Sequence, residues 1–328
     1  MAYIIYGAGG VGGTIGAEFF KAGFDVTLIA RGEHLSALQK HGLRYRTPHE
    51  DKTLQIPAVG CPSEVEITPS DVVFLTMKSQ HTLEALDRLR ACHGDNVAVV
   101  CCQNSVNNEL EALRRFARVY AMLVYLPGQL LEPGVIDCHA ALKPGVLDLV
   151  RFPGQVDGLA ESIASDLRAA NFSSVASTST LRLKYAKLLM NLNNAVEAVV
   201  PAGEDAQRLR DLAKAEGRAC LEAAGIDYAS SDEVSARREG VFAAGDIPGV
   251  ARVGGSSRQS LLRGTGDIES DFLNGEIVLL GRLHNVPTPV NTVLQRYAVR
   301  LAAAKAPPGS VGADEIWGAV EAERTANQ

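Results

Sequence analysis

The segment 3–13, Tyr-Ile-Ile-Tyr-Gly-Ala-Gly-Gly-Val-Gly-Gly, constrains this chain more than any other. An apolar run ends in glycines at positions 7, 9 and 12, and a helical pattern follows over 11–22. Glycines at this spacing between a strand and a helix have distinct purposes. One makes the tight turn, one lets a ligand come close to the backbone, and one lets the helix pack on the strand. The unpaired N–H groups of the helix start then form a seat for an anion. We read Gly7, Gly9, Gly10, Val11 and Gly12 as a pyrophosphate loop for a dinucleotide. A glycine-rich turn without a ligand is the plainer alternative.

The pattern downstream supports that context. Apolar runs at 25–30, 71–76, 97–102 and 119–126 alternate with helical candidates at 33–41, 81–91 and 108–116. Strands alternating with helices predict a doubly wound, mostly parallel sheet covered on both faces. The segment 128–151 reads as antiparallel additions at the sheet edge. After residue 178 strand signals almost vanish. Helical patterns occupy 181–200, 208–224, 267–283 and 290–304, with a short one near 313–324. The segment 245–255 reads as a loop, and the tail beyond Pro307 as partly unstructured. The fold class is therefore an α/β dinucleotide-binding domain over 1–178 and an all-α substrate and catalytic domain over 179–328. A length of 328 residues suits two domains.

Other classes are disfavoured. The formal net charge of −6 and the lack of a basic tract argue against nucleic-acid binding. No segment approaches the roughly 20 apolar residues of a membrane span. The run 2–6 lacks the basic flank and cleavage site of a signal peptide. Six cysteines, none in a CxxC pair, read as reduced thiols of a cytoplasmic protein with no metal site.

The second strand bears on the choice of cofactor. A site that holds unphosphorylated ribose usually ends this strand with an acid. Here it ends Ile29-Ala-Arg31. The planar guanidinium of Arg31 suits a 2′-phosphate, so NADP(H) is expected. Glu33, two residues on, is still within reach of a ribose, and a solvated Arg31 is the alternative. Lys78 and the pair Gln103-Asn104 follow the next two strands, on the side where parallel sheets hold ligands. There Lys78 would meet cofactor charge and Asn104 the nicotinamide end; each also reads as a polar loop residue.

The helical pattern 181–200 carries an apolar stripe (Leu181, Tyr185, Leu188, Leu192, Val196, Val199) beside a polar one (Lys184, Lys187, Asn191, Asn194). Asparagine is a poor interior helix residue, so its recurrence suggests a purpose. A lysine beside amides suits proton donation to an oxygen that gains charge. A surface lysine with structural asparagines is the alternative. Ser256, Ser257 and Glu269 form a second polar cluster, which ordinary helix capping would also explain.

Together these motifs resemble the ketopantoate reductase (2-dehydropantoate 2-reductase) family over nearly the whole chain. The carriers are Gly7-Ala-Gly-Gly-Val-Gly12, Ala30-Arg-Gly-Glu-His34, Thr76-Met-Lys78 and Gln103-Asn104 followed by Glu109. Tyr185-Ala-Lys187-Leu-Leu-Met-Asn191 resembles the pattern W-x-K-L-x-x-N. Ser256-Ser257, Glu269-x-Asp271-x-x-Asn274-Gly275 and Val286-Pro-Thr-Pro-x-Asn291 follow in order. The resemblance implies a Rossmann domain joined to a helical domain, with the active site between them. It implies NADPH as hydride donor, a 2-oxo acid as acceptor and a place in pantothenate biosynthesis. It assigns Lys187 as general acid, with Asn191 on the substrate's polar groups and Ser257 on its carboxylate. Glu269 would orient lysine and substrate and border the cofactor. A second copy of the chain is the one macromolecular partner left open.

The departures are specific. The family pattern QNGxG reads Gln103-Asn-Ser-Val-Asn107, without its glycines. The family's second helix asparagine falls on Ala195, with Asn194 one residue earlier, about 100° around the helix, as the candidate to take its place on the substrate. SSM-x-x-D reads Ser256-Ser-Arg-Gln-Ser-Leu261, without the acid. These changes keep open a reductase or dehydrogenase of the same scaffold for a different 2-oxo or 2-hydroxy acid, or for an imine. A non-catalytic NADP(H)-binding sensor is the alternative of another class.

Overall fold

A computed structural model describes residues 1–326. Its strands are β1 (Tyr3–Tyr6), β2 (Val26–Ile29), β3 (Leu43–Arg46), β4 (Asp51–Leu54), β5 (Ala58–Val59), β6 (Val72–Leu75), β7 (Ala98–Cys101), β8 (Arg118–Met122), β9 (Gly128–Gln129), β10 (Val135–Cys138) and β11 (Leu149–Arg151). Its α-helices are α1 (Gly10–Lys21), α2 (Gly32–His41), α3 (Thr82–His93), α4 (Asn108–Leu113), α5 (Gly158–Ala169), α6 (Thr180–Asn191), α7 (Asn193–Val199), α8 (Glu204–Ala223), α9 (Ser231–Arg238), α10 (Ser256–Arg263), α11 (Asn274–His284), α12 (Pro289–Ala303) and α13 (Ala313–Ala326). The chain divides into two units, one of residues 1–184 with 231–252, the other of 185–230 with 253 onward. Where the sequence suggests a single cut after 178, the chain crosses between units near 184, 230 and 252.

In the first unit, a seven-stranded sheet runs β11-β8-β7-β6-β1-β2-β5. All its pairings are parallel except β11 on β8. The order reverses between β1 and β6, which is the switch point where such sheets bind ligands. Alternate residues of β1 serve two cores. Tyr3 and Ile5 join one that includes Phe19, whose ring stacks on Tyr3 at 4.2 Å. Ile4 joins the other, with Val73, Leu86 and Val99. Burial on both faces is why β1, β6 and β7 read as continuous apolar runs.

The segment 128–151 is only partly an edge addition. β11 pairs antiparallel at the edge, but β9 and β10 join a separate sheet, β4-β3-β10-β9, that packs on α1. β3 and β4 are not among the expected strands, although Leu43 and Tyr45 are buried and Arg44 exposed, the alternation of a half-buried strand. Residues 231–252 return to this unit. Arg237 makes a two-pronged ion pair with buried Asp148, and Ala244 bridges to Ala140.

The second unit is helical. Gly217 of α8 lies where a Cβ would come within 2.6 Å of Leu189 and 3.0 Å of Leu192, so that glycine permits close helix packing. Two expected helices are each divided. The 181–200 pattern is interrupted at Leu192, between α6 and α7, where Asn191, Asn193 and Asn194 offer amides that compete with the backbone ladder. The 267–283 pattern becomes a 3-10 turn at Glu269–Phe272 and then α11, separated by Leu273 at φ −114°, ψ −84°. The tail beyond Pro307 carries α13, anchored by buried Ile316 and Val320. Among the described residues no helix is long and apolar enough to cross a membrane.

Candidate functional site

The glycine loop sits at the switch point of the first unit. The N–H groups of Gly7 and Ala8 donate to Ile29 O of β2, and the Thr76 hydroxyl donates to Gly7 O at 2.8 Å. These bonds hold the turn before any ligand arrives. The motif glycines then separate by cause. Gly7 has φ +106°, and a Cβ there would lie 2.6 Å from Met77 N. Gly12 faces Gly7 O at 2.5 Å, and Gly10 faces Gly128 O at 2.6 Å. Gly9 is different. Its φ of −75° suits any residue, and a Cβ would approach only Gly7 O, at 4.0 Å. No neighbouring protein atom demands glycine there, whereas an approaching phosphate would. Gly9 is also the N-cap of α1, so the first-turn N–H groups of Gly10, Val11 and Gly12 open onto the same space.

Arg31 is the exposed N-cap of α2. Burial raises the Tyr6 phenol above its usual range, and the charges of Arg88 and Arg31 oppose that rise, so Arg31 stands near the end of β1. Glu33 lies exposed in the first turn of the same helix. Lys78 and Asn104 are half-buried on the loops that follow β6 and β7. The Gln103 side chain is engaged internally, its Nε2 donating to Thr82 Oγ1 at 2.7 Å.

In the second unit, Lys187 and Asn191 are half-buried on α6. Asn191 Nδ2 is buried with no hydrogen-bond partner among the described residues. Ser257, in the first turn of α10, is 1% exposed, and its Oγ likewise has none. Glu269 is buried in the 3-10 turn beside Ser270, a residue passed over in the sequence, whose Oγ is also unpartnered. Each such group costs about 1–3 kcal/mol unless something binds it. Asn194 is differently employed. Its Nδ2 donates to Ser256 Oγ at 3.3 Å, while Glu197, three residues on, accepts from Gly255 N at 3.2 Å. These two side chains hold the start of α10, and glycine at 255 lets them approach closely: a Cβ there would meet Asn194 Oδ1 at 2.8 Å and displace that side chain. Ala195 is buried.

Lys184 does not share the setting of Lys187. It is buried in the first unit, its Nζ 2.6 Å from Glu109 and donating to the carbonyls of Met122 and Gln103. Glu109 meets it by charge and distance, off the line of a good hydrogen bond.

A family model described as Ketopantoate reductase PanE/ApbA matches residues 3–150, and its C-terminal counterpart matches 180–301. This chain belongs to the ketopantoate reductase family. It is accordingly an oxidoreductase. The 2-dehydropantoate 2-reductase of Archaeoglobus fulgidus is 30% identical over 305 residues, 88% of this chain and 94% of that protein. A crystal structure of a family member from Ralstonia eutropha JMP134 has a TM-score of 0.77 at 28% identity, covering 93% of this chain and 99% of that one. D-mandelate dehydrogenase with NADH and anilino(oxo)acetate reaches 0.79 at 20% identity over the same shares, a likeness of fold alone.

Two supporting residues had no role in the sequence reading. His34 accepts from Gly134 N at Nδ1, so its proton is on Nε2, which donates to Ala8 O of the glycine loop at 2.7 Å. Burial lowers its pKa and keeps it neutral. Glu216 of α8 accepts from the Val290 and Asn291 N–H groups at the start of α12, and Asn291 Nδ2 also donates to it. Asn274 donates to Asn291 at 2.9 Å. These two asparagines of the C-terminal signature therefore serve the scaffold.

Proposed function

We propose that this enzyme uses NADP(H) to reduce a 2-oxo acid to the 2-hydroxy acid, with 2-dehydropantoate as the first substrate to test. The observation that carries the reading is the open cradle over Gly9 in a member of a reductase family, with Arg31 and no acid ending β2. Gly7, Gly9, Gly10, Val11 and Gly12 fit the pyrophosphate, Arg31 the 2′-phosphate, and Lys78 and Asn104 the remaining cofactor groups. The bound dinucleotide supplies a hydride to the carbonyl carbon. Lys187 stabilises the charge that develops on the carbonyl oxygen and donates the proton that completes the alcohol. Asn191 donates to the substrate's polar groups, Ser257 holds its carboxylate, and Glu269 orients lysine and substrate. The unpartnered Asn191 and Ser257 atoms support these roles because a carboxylate and a carbonyl would satisfy them.

A second reading, a different 2-oxo acid, is favoured by one observation. Asn194 is spent on Ser256, and Ala195 offers no amide in its place. Steady-state kinetics of the purified protein over a panel of 2-oxo acids tests both. NADPH oxidation ranked highest with 2-dehydropantoate supports the first. A bulkier acid ranked first moves the assignment to the second, and no oxidation with any member defeats both. Arg31→Ala should weaken NADPH by roughly 10–100-fold, the loss of one charge-assisted contact, and leave NADH nearly unchanged. Equal effects would remove the 2′-phosphate role.

A further inference from the structure

The loops bearing Lys78 and Asn104 are joined beneath their surface by a closed chain of polar side chains. Gln103 Nε2 donates to Thr82 Oγ1 (2.7 Å), and Thr82 donates to Asn108 Oδ1 (2.7 Å). Asn108 Nδ2 donates to Ser105 Oγ (2.6 Å) and Ser79 Oγ (3.1 Å), and Ser79 donates to Ser105 (2.9 Å). All five residues are at most 5% exposed. Two of them, Ser79 and Ser105, directly follow Lys78 and Asn104 in the chain. Asn108 joins three of the bonds, and Ser105, whose Oγ accepts two, occupies the first glycine position of the pattern QNGxG.

Buried polar chains of this kind are costly when broken and specific when complete. Glycine at position 105 would forfeit the two bonds that Ser105 Oγ accepts. The same stretch is fixed on its other side by the ion pair of Glu109 with Lys184, whose ammonium also holds Gln103 O.

We propose that the Ser79–Thr82–Gln103–Ser105–Asn108 chain is a positioning device for the cofactor, which sets Lys78 and Asn104 at a fixed spacing in place of a glycine-shaped backbone. The proposal rests on the cofactor roles given above to Lys78 and Asn104. Ser105→Ala removes a hydroxyl that accepts two of these bonds without touching either contact residue. NADPH affinity should then fall by about ten-fold, the value of one or two lost hydrogen bonds. The KM for the 2-oxo acid should stay unchanged.

The test is an NADPH fluorescence titration of the full-length protein, well below its melting temperature, arranged as a double-mutant cycle with Asn104→Ala. If Ser105 acts through Asn104, Ser105→Ala costs little further affinity in the Asn104→Ala background. A Ser105→Ala protein with wild-type NADPH affinity, or strictly additive losses, overturns the proposal and leaves the cofactor reading intact. Absence of NADPH binding by the wild type overturns both. Should Ser105→Ala fail to fold, the near-isosteric Thr82→Val breaks the same chain and is judged by the same outcomes.

Discussion

Substituting Gly9 by alanine separates ligand from scaffold more cleanly than any other change in the glycine loop. At φ −75° the new methyl group meets no strain, and its nearest approach is to Gly7 O at 4.0 Å. Alanine restricts the unfolded chain, which stabilises the native state by about 0.4–1 kcal/mol. Alanine is a poorer N-cap than glycine, which costs roughly 0.5–1 kcal/mol. The two nearly cancel, so the apo protein should keep its stability to within about 1 kcal/mol. The cofactor meets the opposite situation, because the methyl group occupies the space of an approaching phosphate. Loss of a single charge-assisted contact of about 1.5–3 kcal/mol weakens binding by roughly 10–150-fold. At NADPH equal to 100 times the wild-type Kd, ligand stabilises the wild type by about 2.7 kcal/mol. A variant 100-fold weaker would gain only about 0.4 kcal/mol from the same solution. Thermal unfolding with and without NADPH should therefore show matching apo transitions and widely separated holo transitions. Gly12→Ala, with its Cβ 2.5 Å from Gly7 O, is the control and should lower the apo transition itself. Unaltered NADPH stabilisation in Gly9→Ala, or an apo loss above about 2 kcal/mol, would refute the assignment of that space to phosphate.

Lys187→Ala should lower kcat by about 10²–10⁴-fold while NADPH binding by fluorescence persists; near-normal turnover removes the general-acid role. Glu109→Gln strands a buried ammonium and should cost about 3–5 kcal/mol in urea unfolding, whereas Glu109→Leu with Lys184→Met should recover much of that loss. Because burial lowers the pKa of His34, the unfolded chain takes up its proton first as pH falls. Stability from neutral His34 is complete above the ordinary imidazole pKa of about 6.5 and is lost as pH falls from there towards the lowered native value. His34→Gln should flatten that part of a stability–pH curve, and an unchanged slope would show that the histidine does not contribute.

What the sequence showed and what it hid follow one physical division. The glycine loop, the parallel strands and the helix signals are local, because turn geometry and double-sided burial leave their mark within a few residues. β4, by contrast, has the polar sequence Asp-Lys-Thr-Leu and exists only because β3 pairs with it. β3 in turn pairs with β10, about 90 residues onward. The return of residues 231–252 to the first unit rests on Arg237 meeting Asp148 across 89 positions. Lys184 makes the same point on a single helix. Its spacing matches Lys187 and Asn191, yet Glu109, 75 residues earlier by subtraction, draws it into the core.

The same division separates the glycine loop from the substrate side chains proposed above. Each cofactor contact proposed for the glycine loop is a backbone feature, and a backbone can be tested position by position for what forbids a side chain. Gly7, Gly10 and Gly12 are forbidden one by the protein itself, which leaves Gly9 as the informative case. Substrate contacts are side chains, and a side chain can be diverted without altering the pattern that advertises it. Asn194 shows this. Its type and helix position suit a substrate amide, but its hydrogen bond goes to Ser256, and with Glu197 it fixes the helix start on which Ser257 is presented. On that geometry Asn194 supports carboxylate binding through Ser257, so Asn194→Ala should raise the KM for every 2-oxo acid by a similar factor. A residue that read one substrate's hydroxyl would instead reorder the panel.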